Sequence, residues 1–201
     1  MEVLILLFIV VITISVLGRA TAKNSKRRAQ GTPPCQRSAE YDQEGPELNT
    51  HPEVKVARVI DGDTVVVIHN RQKVKVRLDA IDCPEDGQEW GDVAKYGLIK
   101  LIGGKKIRIE IHTTDRYQRT VATLYVWHRE TSQWVNVNEK MVTLGHAWVM
   151  RRFYQHLSPE RQKRLNRLEN WAKRKKIGLW RTPDPVAPWR WRSKRTNRTT
   201  S

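Results

Sequence analysis

The amino-acid sequence predicts an α+β domain, a small five-stranded Greek-key β-barrel with about three helices packed on it. Three observations carry that reading. From Val54 onward, short β-branched runs alternate apolar and polar residues and are separated by turn residues. Between and after them stand segments of helical periodicity with recognisable caps. An apolar N-terminus and a polar stretch precede all of this, so the 201 residues leave room for one domain with a modest core.

Residues 54–60, 64–69 and 73–80 are the first three strands, a meander broken at Asp61-Gly62-Asp63 and at Asn70-Arg71. Residues 106–111 and 120–127 add two more, and 135–137 is a short possible addition. Residues 89–102 read as a helix ending at Gly103-Gly104, and residues 138–144 as a second helix stopped by Gly145. A third opens at Ser158-Pro159-Glu160, with an N-cap serine and a proline at its first position. On it Leu165, Leu168, Trp171 and Ala172 form one apolar stripe among Lys and Arg. Elements in this order suggest a barrel of the oligonucleotide-binding kind, whose face commonly takes single strands.

Residues 3–18 carry no charge, a length between the apolar core of a signal peptide and the roughly 20 residues that span a bilayer. Ala20-Thr21-Ala22 offers a small-x-small cleavage pattern, so residues 1–22 are expected to be a removable signal and the protein secreted or periplasmic. Glu2 stands where a basic residue is expected, and the alternative is a retained membrane anchor. In that case Lys23, Lys26, Arg27 and Arg28 would keep the domain cytoplasmic. Residues 23–53, with Pro33, Pro34, Pro46 and Pro52, read as a flexible polar linker. The folded domain then spans 54–181, and 182–201 is a basic tail rich in Trp and Arg.

Charge names a partner class. The chain has 37 Lys and Arg against 21 Asp and Glu, and residues 151–201 alone hold sixteen against three. Such a field draws polyanions by releasing their counterions, which points to nucleic acid or an anionic membrane surface. Two cysteines, Cys35 and Cys83, allow at most one disulfide and exclude a disulfide framework or a zinc ribbon. The six histidines show no ligand spacing, so no zinc site is expected. Most of the eight tryptophans read as core, Trp127, Trp148 and Trp171 among them; Trp90, Trp189 and Trp191 are freer to meet a base.

Asp61-Gly62-Asp63-Thr64 lies at one strand junction and Asp82 at the end of the third strand, so oxygen ligands for a hard cation could converge there. A bare turn selects the same residues. The run Arg77 to Glu85 adds an arginine and two further carboxylates around a strand that stops at Pro84. Along a regular strand Arg77, Asp79 and Ile81 share one face, which turns Asp82 away unless the chain bends.

Together, Ile60-Asp61-Gly62-Asp63-Thr64, Val76-Arg77-Leu78 with Ile81-Asp82-Cys83-Pro84-Glu85, and Asp115-Arg116-Tyr117-Gln118-Arg119 resemble the three signature blocks of the staphylococcal nuclease (thermonuclease) family. The resemblance covers about residues 54–180. Gly178-Leu179-Trp180 and Pro188-Trp189-Arg190-Trp191 are similar to the ending of many bacterial members. It implies a calcium-dependent nuclease acting on DNA and RNA with one Ca2+ ion, held by Asp63, Asp82 and the Cys83 carbonyl with Asp61 in support. It further implies Glu85 beside the attacking water, Arg77 and Arg119 on the phosphate, and Tyr117 in the nucleotide pocket. Such a set suits the chemistry, because a phosphodiester repels nucleophiles until fixed positive charge offsets its own and a base activates water.

Three departures stand out. Cys83 replaces a threonine and could pair with Cys35; Gln118 replaces the glycine before Arg119; and residues 148–154 lack the pair of pocket tyrosines at matching positions. Two competing functions use the same features. One is a non-catalytic nucleic-acid-binding module of the same fold. The other is a membrane-tethered adaptor, anchored by residues 3–18 with its tail on anionic lipid.

Overall fold

The computed structural model describes residues 48–199, with side chains to Arg195. The signal or anchor segment 1–22, linker residues 23–47 and Cys35 lie outside the described residues.

Strands β1 (Glu53–Val59), β2 (Thr64–His69) and β3 (Gln72–Leu78) form the expected meander. Asn70 and Arg71, at φ 49° and 63°, make the two-residue turn whose twist suits a tight hairpin. Alternation buries Val54 and Val56 on β1, then a bulge between Val56 and Arg58 resets the phase so that Val59 also points inward. After helix α1 (Gly91–Ile102) come β5 (Lys106–Thr114) and β6 (Thr120–His128), joined at the sheet edge by β7 (Gln133–Asn136). The order β3-β2-β1-β5-β6 closes through a parallel pairing of Val76–Leu78 with Thr120–Ala122. Five strands thus form a closed barrel, as expected.

Helix α1 buries Ala94, Leu98 and Ile102, one per turn, and stops at Gly103 and Gly104. It begins two residues later than predicted, since Trp90 adopts φ 70° and cannot continue a right-handed helix. Helix α2 (Val137–Thr143) is capped by Asn136, whose side chain accepts from the Glu139 amide at 3.1 Å. Helix α3 (Pro159–Arg174) has the Ser158 cap and buries Leu165, Leu168 and Ala172 as the stripe predicts, together with Glu169, whereas Trp171, expected in the core, is only half-buried.

Two parts differ from the expectation. Strand β3 ends at Leu78, not at residue 80, because Ala80 takes φ 60°, and a separate β4 (Ile81–Asp82) follows, paired with β8 (Trp148–Val149). The tail is also structured: a fourth helix, α4 (Pro188–Thr199), follows a 3-10 turn at Gly178–Arg181. Leu179, Ala187 and Trp148 form a small second core with Trp90 and Trp180, and Gln88 donates to the Val186 carbonyl at 2.6 Å. Trp90 therefore packs, whereas Trp127, expected in the core, is half exposed against Trp134 on the free edge of β6 and β7.

Candidate active site

The open end of the barrel is assembled from two interruptions of the meander. In the first, the turn Asp61-Gly62-Asp63 approaches the segment after β4 so closely that a Cβ on Gly62 would lie 2.7 Å from Cys83 Cβ and 2.8 Å from Ala94 Cβ. Only glycine fits there. The Cys83 amide donates to Asp63 Oδ2 at 2.8 Å and the Asp61 carboxylate accepts from the Asp63 amide at 3.0 Å, which fixes both carboxylates. The Cys83 thiol is buried and free, donates to the Gly62 carbonyl at 3.2 Å, and is pushed up well above its usual range by that burial.

The second interruption, at Asp79-Ala80, supplies the bend that a regular strand would not. Buried Asn138 of α2 holds it, donating to the Asp79 carbonyl at 3.0 Å and the Ala122 carbonyl at 3.2 Å while accepting from the Leu124 amide at 3.1 Å. Asp82 is thereby turned back onto Arg77, whose guanidinium reaches Asp82 Oδ1 at 2.8 Å and Asp63 Oδ2 at 3.2 Å. Behind this, Glu169 is fully buried and takes the Val149 amide at 2.9 Å, Arg151 at 2.6 Å and Lys173 at 2.9 Å. A chain of contacts runs from Glu169 to β8, to β4, to Asp82.

These residues line one open cleft of about 1000 Å³, shared by Asp61, Asp63, Arg77, Asp82, Cys83 and Glu85 on one wall and Tyr117 and Arg119 on the other. Arg119 binds Asp115 through Nε and Nη2, both at 2.7 Å, and Asp115 also accepts from the amides of Tyr117 and Arg119. Gln118 takes φ 60°, the left-handed conformation that a glycine would adopt freely, so the loop keeps its shape despite the substitution. Tyr117 and Phe153 are both well exposed on the cleft rim, with Arg116 4.8 Å from the Tyr117 ring and Arg152 5.6 Å from the Phe153 ring.

Sequence reading missed Arg192. This residue of α4 donates to Asp82 Oδ2 at 2.8 Å and also to Glu85. Nothing local in a basic tail marks one arginine out, and only the packing of α4 on the second core brings it here. Four carboxylates, those of Asp61, Asp63, Asp82 and Glu85, thus face Arg77 and Arg192. Burial and then the Asp63 charge push Asp61 up to about 6, and burial also raises Asp82 despite its arginine partners. Carboxylates buried beside one another and held above their ordinary values are relieved by a divalent cation, so the oxygen donor set fits a hard divalent metal ion.

A closed five-stranded barrel whose open end gathers carboxylates and guanidiniums belongs to the small oligonucleotide-binding-type barrels. Residues 75–182 match the family described as Staphylococcal nuclease homologue. The chain is 40% identical over 147 residues to Protein ParB of Escherichia coli, covering 72% of this chain and 81% of that protein. It is 34% identical over 148 residues to the Micrococcal nuclease of Shigella flexneri, covering 72% and 83%. It is 36% identical over 141 residues to an uncharacterized endonuclease of Escherichia coli O157:H7, covering 70% and 85%. The chain belongs to the staphylococcal nuclease family.

Proposed function

We propose that this protein is a calcium-dependent nuclease that hydrolyses phosphodiester bonds of DNA and RNA with little sequence specificity. The observation that carries the proposal is the shared cleft in which Arg77 joins Asp63 and Asp82 while Glu85 and Arg119 line the same space. On this reading Asp63, Asp82 and the Cys83 carbonyl hold one Ca2+, with Asp61 in support. When bound, the ion offsets the phosphate's negative charge and helps to orient water.

Every other role falls to the chain's own groups. Arg77 and Arg119 would grip the non-bridging phosphate oxygens from two sides, planar donors that counter the added charge of a five-coordinate phosphorus. Glu85 would take a proton from water as its oxygen bonds to phosphorus and the ester oxygen departs with the electron pair of the broken bond. Tyr117 and Phe153, each beside an arginine, provide faces on which bases of any identity can stack. Among the described residues no major-groove reading element accompanies them, and the Lys and Arg of the C-terminal quarter supply contacts to phosphate. Both release of Asp115 by Arg119 and release of Glu85 by Arg192 would precede catalysis.

The test is turnover of single-stranded DNA, duplex DNA and RNA, with calcium or with a chelator. Glu85→Gln and Arg119→Ala are each expected to lower turnover by at least about a hundredfold without unfolding the protein. Wild-type rates from both variants in saturating calcium would overturn this active-site assignment, and binding without turnover by the wild type would support a binding module in place of an enzyme.

A further inference from the structure

Three side chains that the nuclease reading does not use meet beside the cleft. Asp79 sits in the bend after β3, His112 on β5, and His156 in the turn before α3. In sequence they are 33 and 44 residues apart, which is why no histidine spacing announces them. The fold brings His156 Nε2 to 2.9 Å from Asp79 Oδ2, and His112 Nε2 to 3.8 Å from the same oxygen. One ligand atom from each of the three lies within 4.8 Å of the others, the one such set of three His, Cys, Asp or Glu among the described residues.

A hydrogen bond from His156 to Asp79 would by itself account for two of them. It does not account for His112. The β5–β6 register slips between Ile111 and Thr113, so His112 occupies a bulge, a device that re-aims a side chain. The two rings stand 5.0 Å apart and tilted by 54°, so they do not stack. In a tetrahedral zinc site with bonds of about 2.0–2.1 Å, neighbouring ligand atoms are about 3.3 Å apart, and the two carboxylate-to-imidazole distances straddle that value.

The surroundings agree. Asp79 is buried and His112 half-buried while His156 is 41% exposed, which leaves an approach from the cleft that Asp79 and His156 line. Burial depresses the His112 imidazole, keeping it neutral with a lone pair to donate. His112 Nε2 also meets the Thr123 hydroxyl at 2.9 Å, a contact a metal would have to share or replace. The nearby cation, Arg161, is already met by both oxygens of Glu110 at 2.7 and 2.9 Å. Asn138 fixes the Asp79 backbone from behind. Two imidazoles and one carboxylate suit a borderline transition-metal ion, not calcium.

We propose that Asp79, His112 and His156 form a binding site for a divalent metal ion of the zinc class, separate from the Asp63 and Asp82 carboxylates. Occupancy would tie the segment carrying Phe153 and His156 to the barrel and so set the shape of one cleft rim.

The experiment is calorimetric titration of the full chain with zinc chloride in excess calcium, followed by the visible d–d absorption of the cobalt(II)-loaded protein. One equivalent of zinc and a tetrahedral cobalt spectrum are expected. His156→Ala and His112→Ala should each weaken zinc by at least about tenfold and remove the spectrum, whereas Asp82→Asn should keep both. Because His156 is half exposed, His156→Asn serves as a second variant that folds independently of any packing change. No zinc bound in excess calcium would overturn the proposal. So would unchanged binding in His156→Ala and His156→Asn, or loss confined to Asp82→Asn, which would assign zinc to the nuclease carboxylates.

Discussion

Replacing Arg192 with alanine should tighten calcium binding. In the structure its guanidinium spans Asp82, with Nη2 at 2.8 Å from Oδ2 and Nη1 at 3.4 Å from Oδ1, and it also contacts Glu85. A cation that takes Asp82 as a ligand has to displace these contacts. A charge-assisted bond to a buried carboxylate such as Asp82 contributes about 1.5–3 kcal/mol, and an exposed ion pair about 0–1 kcal/mol. Arg192 is 46% exposed and Glu85 34%, so screening pulls the total down to about 2 kcal/mol. Removing that competitor should therefore lower the calcium Kd by up to about thirtyfold. Arg77 still pairs with Asp82 in the variant, so the calcium-free protein should lose only modest stability. Titration calorimetry of wild type, Arg192→Ala and Arg192→Lys at fixed low ionic strength measures the effect, with lysine expected between the two. An unchanged or weaker calcium affinity in Arg192→Ala would refute the reasoning and make Arg192 part of the cation site's support.

Glu169→Leu leaves the buried Val149 amide without its acceptor and should cost about 2–3 kcal/mol in denaturant unfolding, with calcium affinity falling as well because β8 carries β4 and Asp82. Burial alone would raise the Glu169 carboxyl, but Arg151, the Val149 amide and Lys173 hold it below 4.5. Its stabilisation should then be full above 4.5 and fade as pH falls through the lower folded value, so melts of wild type and Glu169→Gln should converge in acid. Gln118→Gly should stabilise by about 0.5–1 kcal/mol by relieving a left-handed φ of 60° at an exposed position, and a loss in thermal melts would mean that the glutamine side chain makes a needed contact.

Local pattern carried much of the fold. Alternation in β1 to β3, the Ser158 cap and the stripe on α3 are all properties of neighbouring residues, and each appears where the sequence put it within two residues. What escaped were events set by distant partners. Ala80 has no reason of its own to adopt φ 60°; it does so because Asn138, 58 positions away, and the β8 backbone hold the bend, and that bend decides which way Asp82 faces. The docking of α4 depends on Trp148, Leu179 and Ala187 meeting, so Arg192 looked like one more basic residue in a solvated tail. The bulge at His112 likewise arises from a register between β5 and β6 that composition does not encode. Trp127 misled for the opposite reason: its apolar neighbours signal a strand, but not that the strand end lies on a free edge.

The two walls of the cleft are held with unequal firmness, and this divides their roles. Asp63, Arg77 and Asp82 rest on buried backbone donors, on the tight approach at Gly62 and on the Asn138 clamp, so their mutual distances are set by the barrel itself. Tyr117 and Arg119 ride a hairpin tip braced from within by Asp115 and by the exposed Arg116–Tyr117 contact, and in which Gln118 occupies a strained position. Charge stabilisation demands groups fixed to within a fraction of an ångström, so Arg119 has to be settled by the phosphate it grips, whereas the aromatic faces that take chains of any base sequence need only an adaptable rim. Substitutions on the first wall should therefore act on turnover and cation affinity together. Those at Tyr117 or Phe153 should shift the substrate concentration needed for half-maximal rate while leaving the saturated rate nearly intact.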